Sequence, residues 1–197
     1  MGTKHGRPYK DQQDIERTLK GDMKAFSLLV DRYKHMVYTL AMRMLRNREL
    51  AEEVSQDTFI KAYRALAGFS GKSAFSTWLY KIAYNQCLDY LKKRQGSPEM
   101  MSPDPEILKH RSLVPEVESK MESDDLKAMV RQGMDALSPD DSLIITLYYL
   151  EEQSLDEISH IMGISTNTAK VRLHRSRQRL AEIMKPKVGY YKTHGYG

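Results

Sequence analysis

Between Asn167 and Arg179 the side chains able to do chemistry are amides and cations at helical spacing. Asn167, Val171, His174, Arg175 and Gln178 fall on one face of a helix, flanked by Lys170, Arg172, Arg177 and Arg179. Cations neutralise phosphates, and amides or a guanidinium hydrogen-bond to base edges. Such chemistry recognises a duplex and breaks no bond. A single basic helix is ordinarily just solvated, so the elements that position it decide the reading. Ser154 and Glu157 stand at the spacing of a capping box and predict a helix start. Leu155, Ile158 and Met162 share one side of that helix, Gly163 can turn, and Ser165 can cap the next helix. Ala169, Leu173, Ser176 and Leu180 line a stripe for packing, small enough at two positions for close approach. The run Ser154–Arg179 therefore predicts a helix-turn-helix whose second helix fits a major groove.

A second chemical set lies between Phe59 and Tyr90, where aromatic residues, including the lone Trp78, interleave with cations. Rings stack on splayed bases while Lys and Arg meet phosphates. Phe69 and Phe75 bound a loop of glycine and small residues, and a helix follows to Arg94. Its periodicity turns Leu79, Ile82, Ala83 and Tyr90 inward, and Lys81, Tyr84, Asn85, Leu88 and Lys92 outward, with Trp78 on the flank. Trp and Tyr are equally ordinary core residues, so residue types alone leave both readings open. The preceding helix, Ala51–Leu66, puts Ala51, Val54, Thr58, Ala62 and Leu66 on its apolar side. Glu53, Gln56, Asp57 and Ile60 point elsewhere, a face that by itself reads as solvated.

The rest of the chain supplies scaffolding. Met1–Asp11 reads as a loose tail and Ile15–Lys20 as a short helix ended by Gly21. Asp22 can cap a long helix over Met23–Leu45, which Asn47 stops before another runs from Glu49 to Ala67. Gln95–Ser123 holds Pro98, Pro103, Pro105 and Pro115 and reads as a linker without a core. Asp124–Leu137 returns to helical phase with Leu126, Met129, Val130 and Met134. Ser138-Pro139-Asp140-Asp141 is a helix start, and Leu143, Ile144, Leu147 and Tyr148 make a support helix. Gly189–Gly197 is a Tyr/Gly tail with no pattern that predicts an element. The expected fold is all-α, with two small helical domains at 12–95 and 124–187, a flexible linker at 96–123 and a C-terminal helix-turn-helix.

Composition narrows the function. In 197 residues the net charge is +5, and Lys170, Arg172, Arg175, Arg177, Arg179, Lys185 and Lys187 face only Glu182 in their stretch. Such a local cationic stripe suits a polyanion. The single Cys87 allows no internal disulfide and fits a reducing cytosol. The six histidines are scattered, and no Gly-rich phosphate loop or G-x-S-x-G occurs. No catalytic residue, metal or cofactor is therefore expected. No apolar run matches a bilayer and no signal-peptide pattern opens the sequence, so a cytoplasmic location without membrane insertion is expected.

The stretches AEEVSQDTFIKAYRAL, FSGKSAFSTWLYKIAYNQCLDYLKKR and LSPDDSLIITLYYLEEQSLDEISHIMGISTNTAKVRLHRSRQRL, with the proline-rich linker before the third, resemble the extracytoplasmic-function sigma factors of bacterial RNA polymerase. The resemblance spans Ile15 to about Lys187. It implies a two-domain subunit without catalytic activity that binds the clamp helices of the polymerase core, promoter DNA and an anti-sigma factor. By position it implies core contacts at Glu53, Gln56, Asp57 and Ile60. It implies minus-ten DNA contacts around Ser73, Phe75, Trp78, Tyr80, Lys81, Tyr84 and Asn85. Minus-thirty-five contacts would fall among Thr166, Asn167, Lys170, Val171, His174, Arg175 and Gln178. Two places depart from the family pattern: Lys72 reverses a usual acid in the loop, and Ser165–Ala169 replaces a usual P-x-G-T-V. An autonomous helix-turn-helix regulator binding DNA as a dimer is the other reading. It explains Ser154–Arg179 equally well, but not the face of Ala51–Leu66 or the aromatic helix.

Overall fold

The computed structural model describes residues 7–95 and 121–194. Every regular element among them is helical: α1 (Arg7–Leu19), α2 (Met23–Leu45), α3 (Arg48–Ala65), α4 (Phe75–Gln95), α5 (Met121–Ala136), α6 (Pro139–Ile145), α7 (Leu155–Met162) and α8 (Thr166–His194). They group into two compact units, α1–α4 and, apart from His160–Gly163, α5–α8. Most of the expected linker lies outside the described residues. Its last three positions, 121–123, are already the first turn of α5.

In the first unit α2 is the central strut. Asp22 caps it, its Oδ1 accepting from the Lys24 and Ala25 amides at 3.0 and 3.3 Å. Its buried stripe is Phe26, Leu29, Tyr33, Val37, Leu40, Ala41 and Met44, in the expected phase. The stop differs from expectation. Arg46 adopts the left-handed conformation, φ 53°, and ends α2, while Asn47 caps α3 by accepting from the Leu50 amide at 2.9 Å. Asn therefore starts the new helix instead of ending the old one. α3 and α4 pack on α2 and on each other.

The N-terminal tail is also a correction: helix begins at Arg7, and Asp11 is buried. Arg32 of α2 pairs with Asp11 and with Asp14, the latter at 2.7 Å, and the Tyr33 hydroxyl donates to Asp11. In sequence Asp11 and Asp14 look like solvated charges, because their partner lies some twenty residues away.

In the second unit Ser138 caps α6, accepting from the Asp141 amide at 3.2 Å. α6 widens into a π-helical turn over Thr146–Leu150, with the Glu151 amide bonded to the Thr146 carbonyl at 3.0 Å. The wider turn shifts the side-chain phase. It carries Tyr148, expected inward, out to solvent beside exposed Tyr149 and Leu150. α5 packs against α8, with Met129, Gly133 and Met134 buried and Val130 exposed against expectation. A Cβ on Gly133 would sit 2.9 Å from Leu180 Cδ1, so that position holds the two helices close. α8 continues through Gly189 to His194, where no structure was expected. Cys87 is buried, and burial pushes its thiol up to about 12, which makes it an unreactive core residue.

Candidate nucleic-acid interface

The helix-turn-helix assembles from local contacts. The Glu157 amide donates to Ser154 Oγ at 3.2 Å, and the Glu157 carboxylate accepts from the Ser154 amide at 2.8 Å. Gly163 makes the turn at φ +67°. Ser165 Oγ then caps α8 by accepting from the Thr168 amide at 3.1 Å. Thr166, a candidate contact, spends its hydroxyl on Asp156 Oδ1 at 2.8 Å and so ties α8 to α7. Ala169, Leu173 and Ser176 are buried, while Asn167, Lys170, Val171, His174, Arg175 and Gln178 are all exposed. The outward face is therefore the one expected.

The cations around it are not equivalent. Arg172 Nη1 lies 3.0 Å from Asp140 Oδ2, and Arg179 pairs with Asp141. Asp141 also accepts from Ser176 Oγ at 2.7 Å. These two arginines, expected to flank the reading face freely, are held by acids at the start of α6. Arg177 lies over the Tyr149 ring, 6.0 Å from its centroid. Among the described residues neither Lys170 nor Arg175 has an ion-pair partner. No signal in the local sequence assigned Asp140 and Asp141 this part, since they read as ordinary first-turn acids.

Burial of the Asp141 carboxyl raises its pKa, but hydrogen bonds from Ser176 and Ser138 and the Arg179 guanidinium outweigh that and hold it below 3.8. A depressed folded-state pKa stabilises the fold above the unfolded value and loses that contribution as pH falls through the folded value. Protection of the α6 and α8 amides, corrected for intrinsic exchange, is expected to drop below about pH 4. Asp141→Asn should flatten that dependence while lowering the plateau at neutral pH. An unchanged acid limb in the Asn variant would show that another group carries it.

The candidate minus-ten residues divide differently from expectation. Tyr84, placed outward by periodicity, is 5% exposed, and Phe75 and Tyr80 are 3% and 1% exposed. α4 packs against both α2 and α3, so two sides of it are covered instead of one. Phe75 is part of a ring cluster, 5.7 Å from Phe69, 5.5 Å from Trp78 and 5.4 Å from Tyr33. Those three side chains are core and offer no ring to a base at the surface. Trp78 and Ser73 are half-buried, and Lys81 and Asn85 are exposed. Trp78, Lys81 and Asn85 share one stripe of α4 at i, i+3 and i+7. On α3, Glu53, Gln56 and Asp57 are exposed, with Ile60 50% exposed among them.

Both units match known families. The Sigma-70 region 2 family model covers residues 29–97, and the Sigma-70, region 4 model covers residues 127–180. The RNA polymerase sigma-H factor of Pseudomonas aeruginosa is 35% identical over 183 residues, 90% of this chain and 95% of the relative. The ECF RNA polymerase sigma-E factor of Escherichia coli K12 is 37% identical over 182 residues, 89% of this chain and 95% of the relative. This chain belongs to the ECF sigma factors. A sigma factor directs RNA polymerase to promoters, and an exposed basic reading helix suits that task.

Solved relatives carry the same fold as this sigma factor. The sigma factor RpoE of Bartonella quintana, in complex with the anti-sigma factor NepR, matches with a TM-score of 0.67 at 23% identity, over 82% of this chain and 98% of that one. CnrH, in complex with the cytosolic domain of CnrY, matches with a TM-score of 0.63 at 20% identity, over 90% and 98%. Among the described residues of the sigma factor no helix is long and apolar enough to cross a membrane.

Proposed function

We propose that the two units of this sigma factor divide promoter recognition. Glu53, Gln56, Asp57 and Ile60 of α3 meet the clamp helices of the polymerase core. Trp78, Lys81 and Asn85, with Ser73 of the adjoining loop, capture the minus-ten strand. Asn167, Lys170, Val171, His174, Arg175 and Gln178 of α8 read the minus-thirty-five duplex. The functional domains run over 12–95 and 124–187, with 96–123 as the tether between the two DNA sites. Polymerase supplies the chemistry and the sigma factor has no catalytic activity of its own. It works in the cytoplasm, and an anti-sigma factor is an expected partner, as NepR is for the RpoE of Bartonella quintana.

The stripe Trp78–Lys81–Asn85 is the observation that carries this reading. It combines a half-buried ring, a cation and an amide along one line of α4. Opening a duplex costs stacking and pairing, and holding an extruded base offsets a few kcal/mol of that cost. An amide offers both a donor and an acceptor to a base edge. Asn85→Ala is expected to leave core binding unchanged and to reduce promoter opening about tenfold, the equivalent of one hydrogen-bonded contact of roughly 1.4 kcal/mol. A template already mismatched across the minus-ten region should restore part of the loss. Permanganate reactivity of promoter thymines with the variant holoenzyme reads both. Full reactivity on duplex DNA would remove Asn85 from the melting surface.

A further inference from the structure

The acids at the start of α6 do more than pack. Asp140 faces the flank of the recognition helix, and its carboxylate holds Arg172 at 3.0 Å. Both side chains are about one-third exposed, so the pair sits at the surface and not in the core. Asp140 and Arg172 line a cleft of about 330 Å³ together with Thr168, Val171 and Arg175. The carboxylate therefore shares a cleft with the reading cation Arg175 as well as with its own partner. The opposite flank of α8 carries Lys170 and Arg177 with no acid paired to either among the described residues. The cationic helix is thus neutralised along one edge only.

That asymmetry has a consequence for binding to a polyanion. A free cation that meets a phosphate releases a counterion, and its contribution steepens the salt dependence of binding. A cation that must first leave a carboxylate still displaces the phosphate's counterion, but the freed carboxylate draws a cation back, so the net release is smaller. The abandoned carboxylate is then left against the phosphate backbone. Such an arrangement weakens every docking pose, and it weakens most those poses that depend on phosphates alone. We propose that Asp140 is a specificity-determining positioning residue, which withholds Arg172 from phosphates so that α8 binds DNA through its base-reading face. The inference rests on the reading of α8 as the minus-thirty-five helix.

The test uses holoenzyme reconstituted with core polymerase and a duplex pool randomised across the upstream half of the promoter. Binding is measured over a series of potassium chloride concentrations, and the bound pool is sequenced. With Asp140→Asn, affinity for the unselected pool should rise, and the slope of log K against log salt should steepen by about one. The bound pool should become less enriched than with the wild type. Asp140→Glu should restore the wild-type slope and enrichment. Adding Arg172→Ala to Asp140→Asn should abolish the gain, which assigns it to that arginine. A merely structural Asp140 would give weaker binding with an unchanged slope, and that result would overturn the proposal. An unchanged slope with unchanged enrichment would overturn it as well. Lys170→Ala separates the role of Asp140 from the placement of α8 on DNA. If it flattens the slope while Asp140→Asn changes nothing, α8 is on the DNA and only the role of Asp140 falls. If neither variant changes the slope or the enriched sequences, the reading of α8 falls and takes the proposal with it.

Discussion

Asp57→Arg is expected to abolish binding to the polymerase core while leaving helical content and melting temperature unchanged. The side of α3 that holds the fold is Ala51, Val54, Ser55, Thr58, Phe59 and Ala62, all buried. Asp57 lies on the other side, with Glu53, Gln56 and Ile60, and all four are exposed. An exposed isoleucine ringed by acids and an amide has the make-up of a small interface, with an apolar centre and a polar rim. Reversing a charge at such a site converts attraction into repulsion, and losing a buried interfacial charge partner costs roughly 2–5 kcal/mol. That corresponds to about thirty- to several-thousand-fold in Kd. The fold has no stake in the substitution. Exposed substitutions away from special features stay within about 0.5 kcal/mol, and Arg favours a helix interior more than Asp does. Retention of the variant on immobilised core polymerase, beside its circular dichroism melt, reads both halves. Full retention would locate the core contact elsewhere.

Arg32→Ala should have the largest effect on stability, and a localised one. α1 docks on α2 through a network in which Arg32 pairs with Asp11 and Asp14, and Tyr33 donates to Asp11. Both aspartates are buried, and Ile15 is the one buried apolar side chain among the described residues of α1. The helix is thus held by ions where most amphipathic helices are held by leucines. Removing one partner of a buried ion pair leaves uncompensated charge and costs about 3–5 kcal/mol. The Arg32 guanidinium feels its own desolvation, but the hydrogen bonds to Asp14 and Asp11 outweigh it and raise its pKa, so it stays charged across the working range. The molecule can relieve two stranded carboxylates by releasing α1 into water, because α2, α3 and α4 retain their own apolar core. Amides of α1 should therefore exchange at nearly unprotected rates in Arg32→Ala. The denaturation midpoint reported by Trp78 should fall by less than the full penalty. Asp11→Asn with Asp14→Asn in the Ala background should recover part of the protection. Wild-type protection of α1 in the single variant would mean that ions do not hold it.

The sequence by itself determined whatever rests on contacts a few residues apart. The helix-turn-helix is legible because each joint is local: Ser154 with Glu157, Gly163 at its positive φ, and Ser165 with Thr168. Asp22 capping α2 is legible for the same reason. The outward faces of α3 and α8 followed from periodicity, since the side chains that each buries keep the apolar phase of the sequence, and Glu53, Gln56, Asp57, Arg175 and Gln178 are exposed as their spacing implies.

Only the tertiary structure decided how many neighbours cover a helix and which charges meet. α4 is covered from two directions, so Phe75, Tyr80 and Tyr84 became core and Trp78, Lys81 and Asn85 were left as the outward stripe. Periodicity marks an apolar side but carries no count of the helices that will bury it. Arg32 meets Asp11 across 21 residues, Arg172 meets Asp140 across 32, and Arg179 meets Asp141 across 38. In the sequence each of these is a charge on a polar helix, and solvation is its ordinary fate. Coulomb attraction acts through space and needs no fixed spacing along the chain, so the packing of the helices determines which acid a given arginine finds.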